Sequence, residues 1–222
     1  VYNPGMTKAL LSLLLLLAPC TLVAQDQAAR SDAPNERTIL RMAQEIRKGI
    51  LTLPNYGVFD WVTFSFNGYN VILKGYASRP TLKDSAERVV KQVEGVAAVD
   101  NRIEILPLSP NDDRIRVQAY VRIYGHPQLV RYNPNRGAPI FISPLRFATG
   151  ITNDPPIGFH PIHIIVKNGN IILEGVVLNE GDRTIAGIVA NQVPEAFTVE
   201  NELRVEINED KRLAKQAKQK KK

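Results

Sequence analysis

Ile39, Ala43, Ile46 and Ile50 recur at intervals of three and four residues, the spacing that lines one face of an α-helix. The stretch from Thr52 to Phe59 breaks that period with Pro-Asn and Tyr-Gly steps and reads as a loop. Trp61 to Phe66 is rich in aromatic and β-branched residues, and Val71 to Ala77 resumes the strand character after Asn67-Gly68. An Asn-Gly pair accepts the positive φ angles of a tight turn, so the two runs predict a β-hairpin. Ser78 with Pro80 just after it can open a second helix, carrying Leu82, Ala86, Val89 and Val93 on one face and ending at Gly95. Val99 to Leu106 reads as a third strand closed by Pro107. The predicted order is α-β-β-α-β.

The same order returns 100 residues later. Asn70-Val71-Ile72-Leu73-Lys74-Gly75 falls on Asn170-Ile171-Ile172-Leu173-Glu174-Gly175, and positions 70–101 share ten identities in 32 with 170–201. Chance would give about two or three, so the chain carries a duplicated module. Ile162 to Val166, the Asn168-Gly169 turn, Ile171 to Val177, a helix over Arg183 to Val193 and a strand from Phe197 to Ile207 make the second copy. Its first helix is less plain: Ile115, Val117, Ala119, Val121 and Ile123 alternate as a strand does, while Asp112 and Asp113 favour a helix start, and the repeat decides for helix. One sheet packed on one layer of helices is the natural burial for such a unit. The expected fold is α/β of the α+β kind: two tandem modules, each with a three-stranded sheet and helices on one face.

The expected organisation has residues 1–24 as a signal peptide, 25–35 as a linker, 36–107 and 112–208 as the two modules, and 209–222 as a basic disordered tail. Lys8 precedes the uncharged Leu-rich run Ala9 to Ala18, and Ala24 offers a small residue for cleavage. That run is shorter than the roughly 17–25 apolar residues of a membrane span, so no permanent transmembrane anchor is expected. Leu17-Ala18-Pro19-Cys20 leaves lipidation at Cys20 as the alternative to soluble secretion, and Met6 is a candidate start. Within the second module, residues 125–159 form a long Pro-rich connection, and loops of that length tend to be functional or mobile.

Composition changes the picture little. Of 222 residues, 44% are hydrophobic and 23% charged, which excludes global disorder and a polytopic membrane protein. The single cysteine excludes an intrachain disulfide. The net charge of +6 is localised: Lys211, Arg212, Lys215, Lys218, Lys220, Lys221 and Lys222 end the chain, and residues 25–210 carry about −2. Nucleic acid is therefore not an expected partner of the fold.

Val71-x-Leu73-x-Gly75, Ala86 and Gly95-Val96-x-x-Val99-x-Asn101-x-Ile103 resemble the BON domain, the bacterial osmotic-stress and nodulation module. Ile171-x-Leu173-x-Gly175, Ala186 and Val199-x-Asn201-x-Leu203 repeat the resemblance, with Pro194-Glu195-Ala196 departing from the family's glycine before the valine. The resemblance implies a small α/β module, a periplasmic and in part membrane-associated location, and attachment to phospholipid or other envelope components, with a role in envelope or osmotic stress. It offers no catalytic residues to carry over. Leu73, Gly75, Val99, Asn101, Leu173, Gly175, Val199 and Asn201 are accordingly read as structural, the glycines serving helix-on-sheet packing rather than ligand contact.

No catalytic constellation emerges, and neither a cofactor nor a metal is expected. His126, His160 and His163 are read as solvated loop histidines, because His160 and His163 flank a loop-to-strand junction where a spacing of three points side chains apart. Candidate membrane or partner contacts are Phe141, Leu145 and Phe147 in an apolar cluster of the long connection, together with the seven basic residues of the tail. The expected partners are anionic phospholipid or envelope components, with a protein-binding scaffold as the alternative.

Overall fold

A computed structural model describes residues 35–134, 151, 155–156 and 158–206. The predicted leader, the tail and the apolar cluster with Phe141, Leu145 and Phe147 lie outside these described residues.

The first module runs α1 (Glu36–Leu51), β1 (Trp61–Asn67), β2 (Asn70–Ala77), α2 (Pro80–Lys91) and β3 (Ala98–Ile105). Asn35 caps α1 by accepting the Thr38 amide at 2.8 Å, and the helix buries Met42, Ile46 and Ile50. β1 pairs antiparallel with β2, and β3 pairs parallel on the other side of β2. A parallel neighbour requires a crossover, which α2 supplies. The second module repeats this with α3 (Pro110–Gly125), β4 (Ile162–Lys167), β5 (Asn170–Val177), α4 (Glu180–Asn191), β6 (Thr198–Asn201) and β7 (Arg204–Val205). β6 and β7 lie end to end on β5 in unbroken register, Leu173 opposite Asn201 and Val176 opposite Arg204. They correspond to the single strand expected from Phe197 onward, with a lapse in the ladder at residues 202–203.

Local details depart from expectation for identifiable reasons. Register pairs Asn67 with Asn70, so the first turn is Gly68-Tyr69, one position later than Asn67-Gly68, and only Gly68 is left-handed, at φ 61°. In the second hairpin Asn168 (52°) and Gly169 (78°) are both left-handed, the two-residue geometry that Asn-Gly supports. Arg79 rather than Ser78 stands at the N-cap of α2, because the Ser78 amide is turned inward and donates to Asp60 Oδ1 at 2.6 Å. Helix α4 begins at Glu180, three residues before the expected Arg183, because Asn179 and Asp182 cap it reciprocally through two 2.9 Å hydrogen bonds.

Helix α3 resolves the ambiguity in residues 115–123. Its buried set of Ile115, Arg116, Val117, Ala119, Tyr120, Ile123 and Tyr124 covers most of its circumference, which blurs the amphipathic period. Ser109 caps it through the Asp112 amide at 3.2 Å. The Asp112 carboxylate in turn accepts the amides of Asn168 (2.9 Å) and Gly169 (2.8 Å) and so clamps the second hairpin turn. The buried Arg116 is held by Asp113 and by the Val166 carbonyl, each at 2.7 Å.

Each module has an apolar core, but the boundary between them does not follow the chain. The first core gathers Ile46, Ile50, Val62, Val71, Leu73, Leu82, Ala86, Val90 and Ile103. The second is built on α3, α4 and the inner faces of β4 and β5, and it also contains Val58 and Phe59, which precede β1. Residues 57–60 thus form a strap from the first module into the second. The Ile164 amide donates to the Val58 carbonyl at 2.8 Å, so the strap also occupies the outer edge of β4.

Candidate functional site

Leu73 and Leu173 are wholly buried, and Val99 and Val199 pack partly buried against their cores. Asn101 donates to the Lys83 carbonyl at 3.1 Å and accepts the Ile103 amide at 3.2 Å, tying helix α2 to strand β3. Asn201 does the same with the Arg183 carbonyl (2.8 Å) and the Leu203 amide (3.4 Å). Asn201→Ala is expected to destabilise the protein by about 1–3 kcal/mol, since buried backbone groups lose partners. Urea denaturation measures it, and an unchanged midpoint would remove the tie from the account of this asparagine.

The glycines act through backbone contact, not helix packing. Gly75 and Gly175 have φ of 117° and 125°, and a Cβ at either would stand 2.0 Å from the carbonyl oxygen of Trp61 or Pro161. What forbids a side chain is the strand alongside, not a helix above. The turn at Pro194-Glu195-Ala196 keeps the shape of its counterpart despite lacking glycine: Glu195 is left-handed at φ 67°, as Gly95 is at 96°. The Glu195 carboxylate lies 3.5 Å from Arg114 Nε.

Among the described residues, buried titratable and aromatic side chains converge at the seam between the modules. Asp60, at the end of the strap, is 1% exposed and accepts the amides of Gly57 (3.0 Å) and Ser78 (2.6 Å). Burial pushes its carboxyl above the usual range, against the downward pull of those hydrogen bonds. His163 on β4 places its ring 4.9 Å from Trp61 and 5.6 Å from Tyr56. His160 lies edge-on to Tyr124 at 5.2 Å and near Tyr120 at 5.8 Å. Both imidazoles are buried, correcting the expectation of solvated loop residues: the strap and the aromatic residues of α3, far off in sequence, close over them. Burial pushes each down to about 4. His126, by contrast, is half-buried at the end of α3, where its Nδ1 accepts the Gln128 amide at 3.3 Å. A cavity of about 240 Å³ opens beside the seam, lined in part by Tyr56, Phe159, His160 and His163. The sequence holds no local signal for this seam, because Tyr56, Trp61, Tyr120 and Tyr124 lie far along the chain from the two histidines.

Among the described residues no group of three or more His, Cys, Asp or Glu side chains is placed to hold a metal ion. No described helix is long and apolar enough to cross a membrane. The BON domain family matches residues 62–107 and 148–207. The chain carries two BON domains. In each BON domain the matched segment contains the hairpin, the crossover helix and the last strand. Two solved structures are similar: CdsD, a structural protein of the type III secretion system of Chlamydia trachomatis, at 15% identity over 78% of this chain and 96% of that one, and the CdsD C-terminal domain, at 16% over 73% and 96%. Both have a TM-score of 0.24, and at that value the likeness carries no inference about this chain. No curated protein matches the sequence.

Proposed function

We propose that the mature protein is an exported, non-catalytic binding module that attaches to anionic phospholipid surfaces of the cell envelope. The observation that supports it best is the pairing of two BON domains with a net positive charge gathered in residues 211–222, while residues 25–210 carry about −2. The polar side chains detailed above are engaged in structural work: Asn101 and Asn201 tie helices to strands, Asp112 clamps a turn, and Asp182 accepts Tyr132 Oη at 2.5 Å. Attachment through the tail is electrostatic, each Lys or Arg near an anionic surface contributing about 1 kcal/mol.

The test is co-sedimentation with liposomes of neutral or anionic lipid, comparing the full chain with a form ending at Asp210 at low and high salt. The full chain is expected to pellet with anionic vesicles at low salt and to release as salt rises, because exposed charges are screened over about 8 Å at physiological ionic strength. Equal pelleting of the two forms would eliminate the tail as the contact. Failure of both to bind any lipid would favour a protein-interaction scaffold.

A further inference from the structure

The two histidines at the seam are buried for a reason the binding function does not use. His163 belongs to the second module, yet its ring lies against Tyr56 and Trp61 of the first, and its Nδ1 is buried with no hydrogen-bond partner. His160 has a partner near each ring nitrogen, the Gly158 carbonyl 2.9 Å from Nδ1 and the Tyr120 hydroxyl 3.5 Å from Nε2. A proton added to either imidazole creates a buried cation, whose desolvation outweighs the help of the Asp60 and Gly57 backbone at His163 and of the Gly158 carbonyl at His160.

We propose that His160 and His163 form a proton-operated joint, in which their protonation lifts the strap 57–60 from β4 and parts the two modules while the helices and sheets of each persist. The groups around them offer no lasting counter-charge. From the strap comes Asp60, whose carboxylate oxygens already accept the Gly57 and Ser78 amides, and from the residue just before it the Tyr56 phenol, pushed up by burial. From β5 comes Glu174, opposite His163 in register, and from α3 the phenols of Tyr120 and Tyr124. Arg79 acts on Asp60 and Arg204 on Glu174, one step further out. Burial raises the carboxyls of Asp60 and Glu174, so acid neutralises both as the histidines are asked to charge.

The sign follows from linkage. In the closed form both histidines are held down to about 4, against about 6.5 when exposed, so the open form binds more protons throughout that window. Lowering the pH from about 6.5 to 4 therefore favours opening, by up to roughly a hundredfold or more per histidine, and the effect levels off below 4. Protonation of Asp60 and Glu174 acts in the opposite sense and limits the response at its acid end.

Trp61, the only tryptophan in the chain, lies against His163 and reports the joint. The experiment follows the emission maximum of the full chain from pH 7.5 to 4, with far-UV circular dichroism and the radius of gyration from small-angle scattering recorded in parallel. A red shift and a larger radius with a midpoint between pH 6.5 and 4, at constant helical signal, are expected in the wild type, and H160Q/H163Q should flatten both. An emission maximum that stays fixed until the helical signal is lost overturns the proposal, as does an unchanged transition in the double variant. Should that variant not fold, NMR titration of the two imidazoles in the wild type decides, and midpoints at or above 6.5 for both overturn it.

Discussion

Gly75→Ala and Gly175→Ala are each expected to destabilise the protein by about 3–5 kcal/mol, well beyond the usual cost of a methyl group. A Cβ at either position would sit 2.0 Å from a backbone carbonyl oxygen of the neighbouring strand, and φ lies at 117° or 125°, where L residues are strained. The obstacle is backbone held in a ladder, so no side-chain rotation relieves it: Trp61 and Tyr76 pair beside Gly75, and Ile162 pairs with Gly175 itself. Gly68 is the control. It is left-handed at φ 61° but has nothing within 4 Å of its ideal Cβ, so Gly68→Ala should cost only about 1 kcal/mol. Chemical denaturation followed by circular dichroism ranks the three variants. A loss at Gly75 or Gly175 no greater than at Gly68 would mean the strand can yield, and the close-approach account would fail.

How far the fold was legible depends on whether the information is local. Aromatic and β-branched content and the Asn-Gly step after it identified strand β1, and the recurrence at 100 residues carried the assignment to the second copy. Helix α3 was the hard element because it is buried on most sides, and its order came from the repeat rather than from its own pattern. The glycines were visible as special positions, but the reason was not: the carbonyl that excludes a Cβ at Gly75 belongs to Trp61, on the far arm of the hairpin. The histidines were misread for the same cause. Their burial is supplied by Tyr56, Trp61, Tyr120 and Tyr124, and no window of sequence around His160-Pro161-Ile162-His163 contains those partners.

The strap was the least legible feature, because two apolar residues in a loop have no period. Its energetic consequence is correspondingly specific: Phe59→Ala should destabilise the second BON domain, not the first, by about 3–5 kcal/mol. Phe59 is 1% exposed, meets Tyr120 edge-on at 6.4 Å and belongs to the core of α3, β4, β5 and α4, although the chain places it directly before β1. Truncation leaves a cavity in that core while the bond from the Ile164 amide to the Val58 carbonyl is backbone and is not itself deleted. Amide hydrogen exchange resolves the two domains: protection should fall in β4 and β5 of Phe59→Ala while β1, β2 and β3 retain theirs. Leu82→Ala provides the converse, since Leu82 is 2% exposed in the first core and its loss should deprotect β2 and β3 first. If Phe59→Ala instead loosened β1 to β3 first, the strap would belong energetically to the domain that precedes it, and the two cores would be divided as the chain is.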